Sequence, residues 1–116
     1  MTQLVRLWTG DDGESHFSSG PLDVPPHVAT RIHSQTTPLH GSLSWHAAPC
    51  WQYVITLTGT LRFTTRSGAT FVIAPGDVLL AADTTGGGHR WELIDDQPWT
   101  RIYVELAEQP AVPGRR

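Results

Sequence analysis

The chain predicts an all-β fold in a single domain of 116 residues. Eleven Gly and nine Pro punctuate short runs rich in Val, Ile, Thr and aromatic residues, and no stretch of about a dozen residues keeps helical periodicity. The length suffices to bury a core without staples. One cysteine, Cys50, excludes an internal disulfide, so nothing points to an oxidising compartment.

Taken in order, strands are expected at about 4–8, 28–34, 41–47, 51–58, 60–66, 69–74, 77–81, 89–95 and 99–106. Between the first two, Gly10, Gly13, Gly20, Pro21, Pro25 and Pro26 suit an extended arm laid over the rest. Residues 1–27 therefore read as an N-terminal strand and arm, residues 28–106 as a barrel, and residues 107–116 as a flexible tail containing Pro110, Pro113 and Gly114. Arg66-Ser67-Gly68-Ala69 is a hairpin turn in which Gly68 is free to take positive φ. Ala74-Pro75-Gly76-Asp77 is a second turn, with Pro fixing φ on entry.

Charge removes several classes of function. Eight Arg and no Lys against eleven acidic residues leave a net charge of −3, without the basic cluster that phosphate backbones require, so no nucleic acid is expected. The missing Lys argues against Schiff-base chemistry. Met1 to Trp8 lacks the apolar run of a signal peptide, and no stretch approaches the roughly 20 apolar residues of a membrane span. A soluble, cytoplasmic protein with no membrane partner is the expectation.

Residues 46 to 89 carry the most informative spacing: His46-x5-Gln52-x6-Gly59, sixteen residues, Gly76-Asp77, then His89. Over roughly residues 28–106 the chain resembles the cupin family, in which three His and one Glu point into a small barrel and hold a divalent metal. On that pattern His46 falls on the first His, Ala48 on the second, Gln52 on the Glu, Gly59 on the closing Gly and His89 on the last His. Gly41 stands one residue too close to His46, the stretch from Gly76 to His89 is two residues longer than the pattern, and Leu93 takes the final Asn position. The resemblance implies a cupin double-stranded β-helix, that is, a jelly-roll barrel, with Gly59 and Gly76-Asp77 at its turns. It also implies that His46, Gln52 and His89 are the catalytic groups and the ligands of a divalent metal such as zinc, iron or nickel. Gln52 offers a neutral amide where a carboxylate is usual, and Ala48 removes a ligand. His33, His40 and Cys50 are candidates to replace it. The alternative is a metal-free pocket in which the two imidazoles form hydrogen bonds or move protons.

Strand alternation extends the site. If His46 and Gln52 face inward, so do Ser42, Ser44, Cys50, Val54 and Thr56, which makes Ser44, Val54 and Thr56 candidate substrate contacts. The opposite face then carries Leu43, Trp45, Tyr53, Ile55 and Leu57, too apolar to stand in water as one patch. The arm and a second subunit are its expected cover, and cupins inside cells are commonly homodimers. Reversed parity would instead bury this apolar set and leave no site. Trp91, two residues after His89, is either a flat wall for an aromatic ligand or core filling. Arg101, Tyr103 and Glu105 share one face of the last strand, which is either a solvated face or a pocket wall where Arg101 and Tyr103 touch substrate. Asp83 reads as a turn cap before Thr84-Thr85, with orientation of His89 as the alternative. Gly86-Gly87-Gly88 reads as a mobile rim of the barrel mouth, and His16, His27 and His40 as surface residues.

The function these features suggest is a small cupin enzyme acting on a small organic molecule, aromatic or polyketide-like. Its chemistry would be metal-assisted or His-based and non-redox, of the cyclase or isomerase type. A non-catalytic small-molecule-binding cupin, a structural subunit with a vestigial site, and a metal-dependent dioxygenase are the alternatives. Gln52 counts against the last, which needs an anionic ligand.

Overall fold

A computed structural model describes residues 2–112. The strands are β1 (Gln3–Thr9), β2 (Ser15–Pro21), β3 (Ala29–Thr37), β4 (Ser42–His46), β5 (Gln52–Thr58), β6 (Leu61–Thr65), β7 (Thr70–Ile73), β8 (Val78–Ala82), β9 (His89–Leu93) and β10 (Trp99–Leu106). They build a six-stranded sheet in the order β2-β1-β8-β5-β10-β3 and a four-stranded sheet in the order β4-β9-β6-β7. Remove β1 and β2, and what remains is β8-β5-β10-β3 facing β4-β9-β6-β7, the two four-stranded faces of a jelly roll. The all-β jelly-roll expectation therefore holds. All nine expected strands are present.

β2 is the strand that sequence patterning missed. Within Ser15–Pro21 only Phe17 is a large apolar residue, and Gly20 and Pro21 are turn formers. Its extended state comes from pairing with β1, Leu7 opposite Phe17 and Thr9 opposite Ser15. Tertiary pairing overrides weak propensity here, and Pro21 is tolerated because β2 is an edge strand. β1 itself runs parallel to β8, which makes it part of the main sheet.

Two apolar clusters follow from alternation. Val5, Leu7, Val54, Leu61, Phe63, Phe71, Ile73, Leu79, Trp91, Leu93 and Trp99 pack between the sheets. Leu4, Tyr53, Val78, Leu80, Ala82 and Leu106 form a second cluster on the outer face of the six-stranded sheet. All five residues of β8 are buried as a result, as befits a strand covered on both faces. The outer cover comes partly from the arm, where His27 Nε2 hydrogen-bonds the Tyr53 hydroxyl at 2.9 Å. The other part is the C-terminal segment, where Pro110 is buried and Val112 packs on the second cluster. Residues 113–116 of the expected tail lie outside the described residues.

The five apolar residues expected on one outer face do not share a surface. The jelly roll sends β4 and β5 to different sheets, a separation that strand parity cannot register. Trp45 stands on the four-stranded sheet with the Arg66 guanidinium 4.1 Å from its ring centroid and that of Arg90 at 5.3 Å. Tyr53 is covered within the chain, and Leu43, though exposed, stands at the open rim between the sheets. Ile55 and Leu57 are what remains of the expected patch.

Candidate functional site

The sheets enclose a cavity of about 780 Å³, within the range of small-molecule sites. Phe63, Val54, Leu79, Ala81, Trp91 and Trp99 give it apolar walls, and His46, Gln52, His89, Arg101, Tyr103 and Glu105 bring polar groups. Exposed Arg31 and Leu43 mark the side open to solvent.

His46 and His89 meet because β4 and β9 are neighbours and these residues are cross-strand partners. Their ring centroids are 4.5 Å apart. β4 reaches this pairing through an irregularity: Leu43 pairs Trp91 and His46 pairs His89, so three steps on one strand match two on the other. That is a β-bulge, and it turns both Leu43 and His46 to the interior. Ser44 falls inside the bulge, is exposed and does not line the cavity. Its expected place among the substrate contacts is wrong for this reason. Its carbonyl instead accepts a 2.6 Å hydrogen bond from His46 Nδ1.

His89 is almost fully buried, and its Nδ1 lies 2.6 Å from Asp83 Oδ2. Ser15 Oγ donates to the same oxygen at 2.6 Å. Asp83 is wholly inaccessible, and its Oδ1 has no partner among the described residues. This geometry favours the alternative reading of Asp83: it orients His89. A carboxylate only accepts, so in the neutral imidazole Nδ1 carries the hydrogen and Nε2 keeps its lone pair. The Ser44 carbonyl selects the same tautomer in His46. Burial lowers the His46 pKa from the ordinary 6.5, with His89 adding to the effect and the Ser44 hydrogen bond and Asp83 opposing it. The result is a half-buried imidazole biased toward its neutral form.

The loop before His89 is pinned. Gly87 N donates to Gly13 O at 3.0 Å, Arg66 Nε to Gly87 O at 3.2 Å, and Thr9 Oγ1 to Thr85 O at 3.0 Å. Gly88 has φ of 72°, and a Cβ there would run into the His46 carbonyl. These glycines permit close packing against β4 and the β1–β2 turn, in place of the mobile rim expected from composition.

The other expected residues divide. Gln52 is buried, and its Oε1 accepts from Cys50 Sγ at 3.5 Å, which leaves its amide N–H groups as donors. Burial, reinforced by Glu105, raises the Cys50 thiol pKa. Trp91 lines the cavity edge-on to Trp99, centroids 4.7 Å apart. Thr56 does not line it: the side chain is fully buried and accepts from Trp99 Nε1 at 3.2 Å. Thr56 thus faces inward as expected but sits behind the Trp99 ring. Arg101 and Tyr103 line the cavity, so this face of β10 is a wall and not a solvated strand. Glu105 joins them, bound to His33 Nε2 at 2.8 Å and Arg31 Nη1 at 3.3 Å. Patterning missed Ser15, which lay in the assumed arm, and Phe63, whose alternation with Arg62 and Thr64 was a usable signal.

The donor set does not fit a resident metal. No group of three or more His, Cys, Asp or Glu side chains comes together among the described residues. Ala48 is buried where the resemblance calls for an imidazole, and Gln52 offers a neutral amide oxygen where a carboxylate is usual. His46 and His89 bring two ring nitrogens together, fewer than the three protein donors usual for zinc.

Fold and site define a jelly-roll barrel with a closed-in imidazole pair. Among solved structures, the chain is similar to an RmlC-like cupin protein from Desulfovibrio desulfuricans, with 16% identity, a TM-score of 0.48, and coverage of 90% of this chain and 82% of that one. It is also similar to a conserved protein of unknown function from Streptococcus pyogenes, with 16% identity and a TM-score of 0.49. That match covers 70% of this chain and 65% of the other, so the chain spans less than two thirds of that protein's length. No family model and no curated protein matches the chain. The described residues contain no helix long and apolar enough to cross a membrane.

Proposed function

We propose that the barrel is a small-molecule enzyme using His-based, non-redox proton transfer of the isomerase or cyclase type, without a resident metal. The observation that carries this reading is His89 on the cavity wall with the buried Asp83 carboxylate behind it. A buried structural histidine needs only some acceptor for its N–H, and a carboxylate is not required. A general base gains from one, because the carboxylate fixes the tautomer and stabilises the imidazolium formed on proton uptake.

In this reading Nε2 of His89 takes a proton from a carbon next to a carbonyl, and the C–H electron pair moves to the carbonyl oxygen as an enolate. The Gln52 amide donates to that oxygen. Return of the proton at another carbon completes an isomerisation; attack of the enolate carbon on a second carbonyl, whose oxygen takes the proton back from the His89 imidazolium, completes a ring closure. His46, biased toward its neutral form by burial, supplies the second site for proton exchange. Trp91 offers a flat wall to a ring.

The test is incubation with a panel of aromatic keto acids in D2O, reading deuterium at carbon by mass spectrometry. Wild type is expected to exchange the activated hydrogen faster than buffer, and His89→Ala to lose the excess. A ligand that binds yet is recovered unexchanged, with affinity indifferent to His89, leaves a non-catalytic binding protein.

A homodimer is the matching assembly. Ile32 and Leu57 are exposed and Ile55 is half-buried on the two strands that flank β10, a surface suited to a second copy. The single unpaired Cys50 suits a cytoplasmic location.

A further inference from the structure

We infer that Arg101 anchors a carboxylate on the ligand, so that the cavity takes aromatic or conjugated carboxylic acids. The inference rests on the cavity being a ligand site but not on His89 acting as a base.

Arg101 is 2% exposed although guanidinium keeps its charge throughout the accessible pH range. A buried cation of this kind is ordinarily matched by a carboxylate. Here every protein acceptor is neutral: Nε donates to the Tyr103 hydroxyl at 2.9 Å, and Nη1 to Thr37 Oγ1 at 2.6 Å and the Trp99 carbonyl at 3.1 Å. The guanidinium carbon lies 3.7 Å from the Trp99 ring centroid and 5.4 Å from that of Tyr103. Position is thus fixed by three hydrogen bonds and a ring face, while the charge is left without a counter-ion among the described residues.

The nearby carboxylates are committed elsewhere. Glu105 is on the same strand face but about 13 Å further along, at some 3.3 Å per residue, and it is held by His33 and Arg31. Asp83 is held by His89 and Ser15. Nη2 of Arg101 makes none of the three bonds, so its two N–H donors are free for a ligand oxygen.

The anion that completes this site is singly charged. Among the described residues Arg101 is the one lining arginine without a carboxylate partner, since Arg31 and His33 share Glu105, and a phosphate dianion would call for more donors than Nη2 supplies. The group attached to it is flat and apolar, because Trp99 beneath the guanidinium, Trp91 edge-on to Trp99, and Phe63 continue the wall toward His89.

Calorimetric titration with cinnamate and with cinnamamide, its neutral near-isostere, tests the assignment on the full chain. Wild type should bind cinnamate about tenfold or more tightly than cinnamamide, the discrimination expected where a buried charge is left unpaired by the wrong ligand. Arg101→Gln, checked for a native circular dichroism spectrum, should lose that preference while keeping its affinity for cinnamamide; His89→Ala should keep the preference. Equal affinities on wild type, no binding of cinnamate at millimolar concentration, or a preference that survives Arg101→Gln would overturn the inference. The wild-type comparison stands whether or not the variant folds. A preference for cinnamate with no proton exchange on any acid sinks the proton-transfer reading alone and leaves the anchor in place.

Discussion

At the residue scale, the site is organised by one oxygen atom. Asp83 Oδ2 accepts from both Ser15 and His89, which joins β2, the end of β8 and β9 around the base. Removing that acceptor leaves buried donors unmatched, so Asp83→Ala should destabilise the fold by about 1–3 kcal/mol in denaturant titrations. Asp83→Asn keeps the shape but no longer enforces the tautomer; turnover should fall by roughly 10²–10⁴-fold, mostly in kcat. His46 yields a prediction about pH. Its folded-state pKa is depressed below 6.5, mainly by burial, so the unfolded chain binds more protons than the folded one in the window just below that value. The His46 contribution to stability is full above 6.5 and is lost as pH falls toward the folded pKa. Urea unfolding between pH 8 and pH 5 should show a shallower loss of stability in His46→Gln than in wild type, and identical slopes would refute the assignment. Dialysis against EDTA should leave the thermal midpoint and any proton exchange unchanged if, as proposed, the barrel works without a resident metal.

At the element scale, what was legible depended on whether a residue's role was local. His46, Gln52 and His89 could be placed in one cavity from spacing and the family resemblance. Ser44 could not be excluded, because a bulge in β4 changes parity and leaves no mark in the order of apolar residues. Thr56 shows the same limit: alternation put it inside correctly, but which inward residues reach open space depends on the size of their neighbours, here Trp99. The partner of Asp83 was hidden because Ser15 belongs to a strand formed only through pairing with β1. The glycine-rich loop read as mobile because composition reports freedom of φ and not the packing that uses it. Gly88→Ala should therefore cost more stability than Gly68→Ala. Both positions have positive φ, but a Cβ on Gly68 meets open space whereas one on Gly88 meets the His46 backbone. A difference of about 1 kcal/mol or more in chemical unfolding is expected, and equal losses would show that the loop is not packed as described.

On the scale of the whole molecule, the all-β class was readable from short β-rich runs between turn residues, and the jelly roll only through the spacing that carries the cupin resemblance. The assignment of strands to sheets was not, since it is decided by long-range pairing. That is why Trp45, on the other sheet, drops out of the expected dimer face; Tyr53 drops out because the arm covers it, which leaves Ile55 and Leu57 for the proposed contact. The double variant Ile55→Glu, Leu57→Glu should give a monomer by light scattering from a dimeric wild type; a wild type already monomeric at high concentration would remove the dimer. The central claim, however, concerns the interior. Asp83 is held to fix His89 as the tautomer with hydrogen on Nδ1 and a free Nε2 facing the cavity. Long-range ¹H–¹⁵N correlation spectra of imidazole-labelled protein, recorded with His89 in its neutral form, test this directly. A protonated Nδ1 with an unprotonated Nε2 is expected in wild type, with loss of that strict preference in Asp83→Asn; a neutral His89 protonated on Nε2 in wild type would contradict the role given to Asp83.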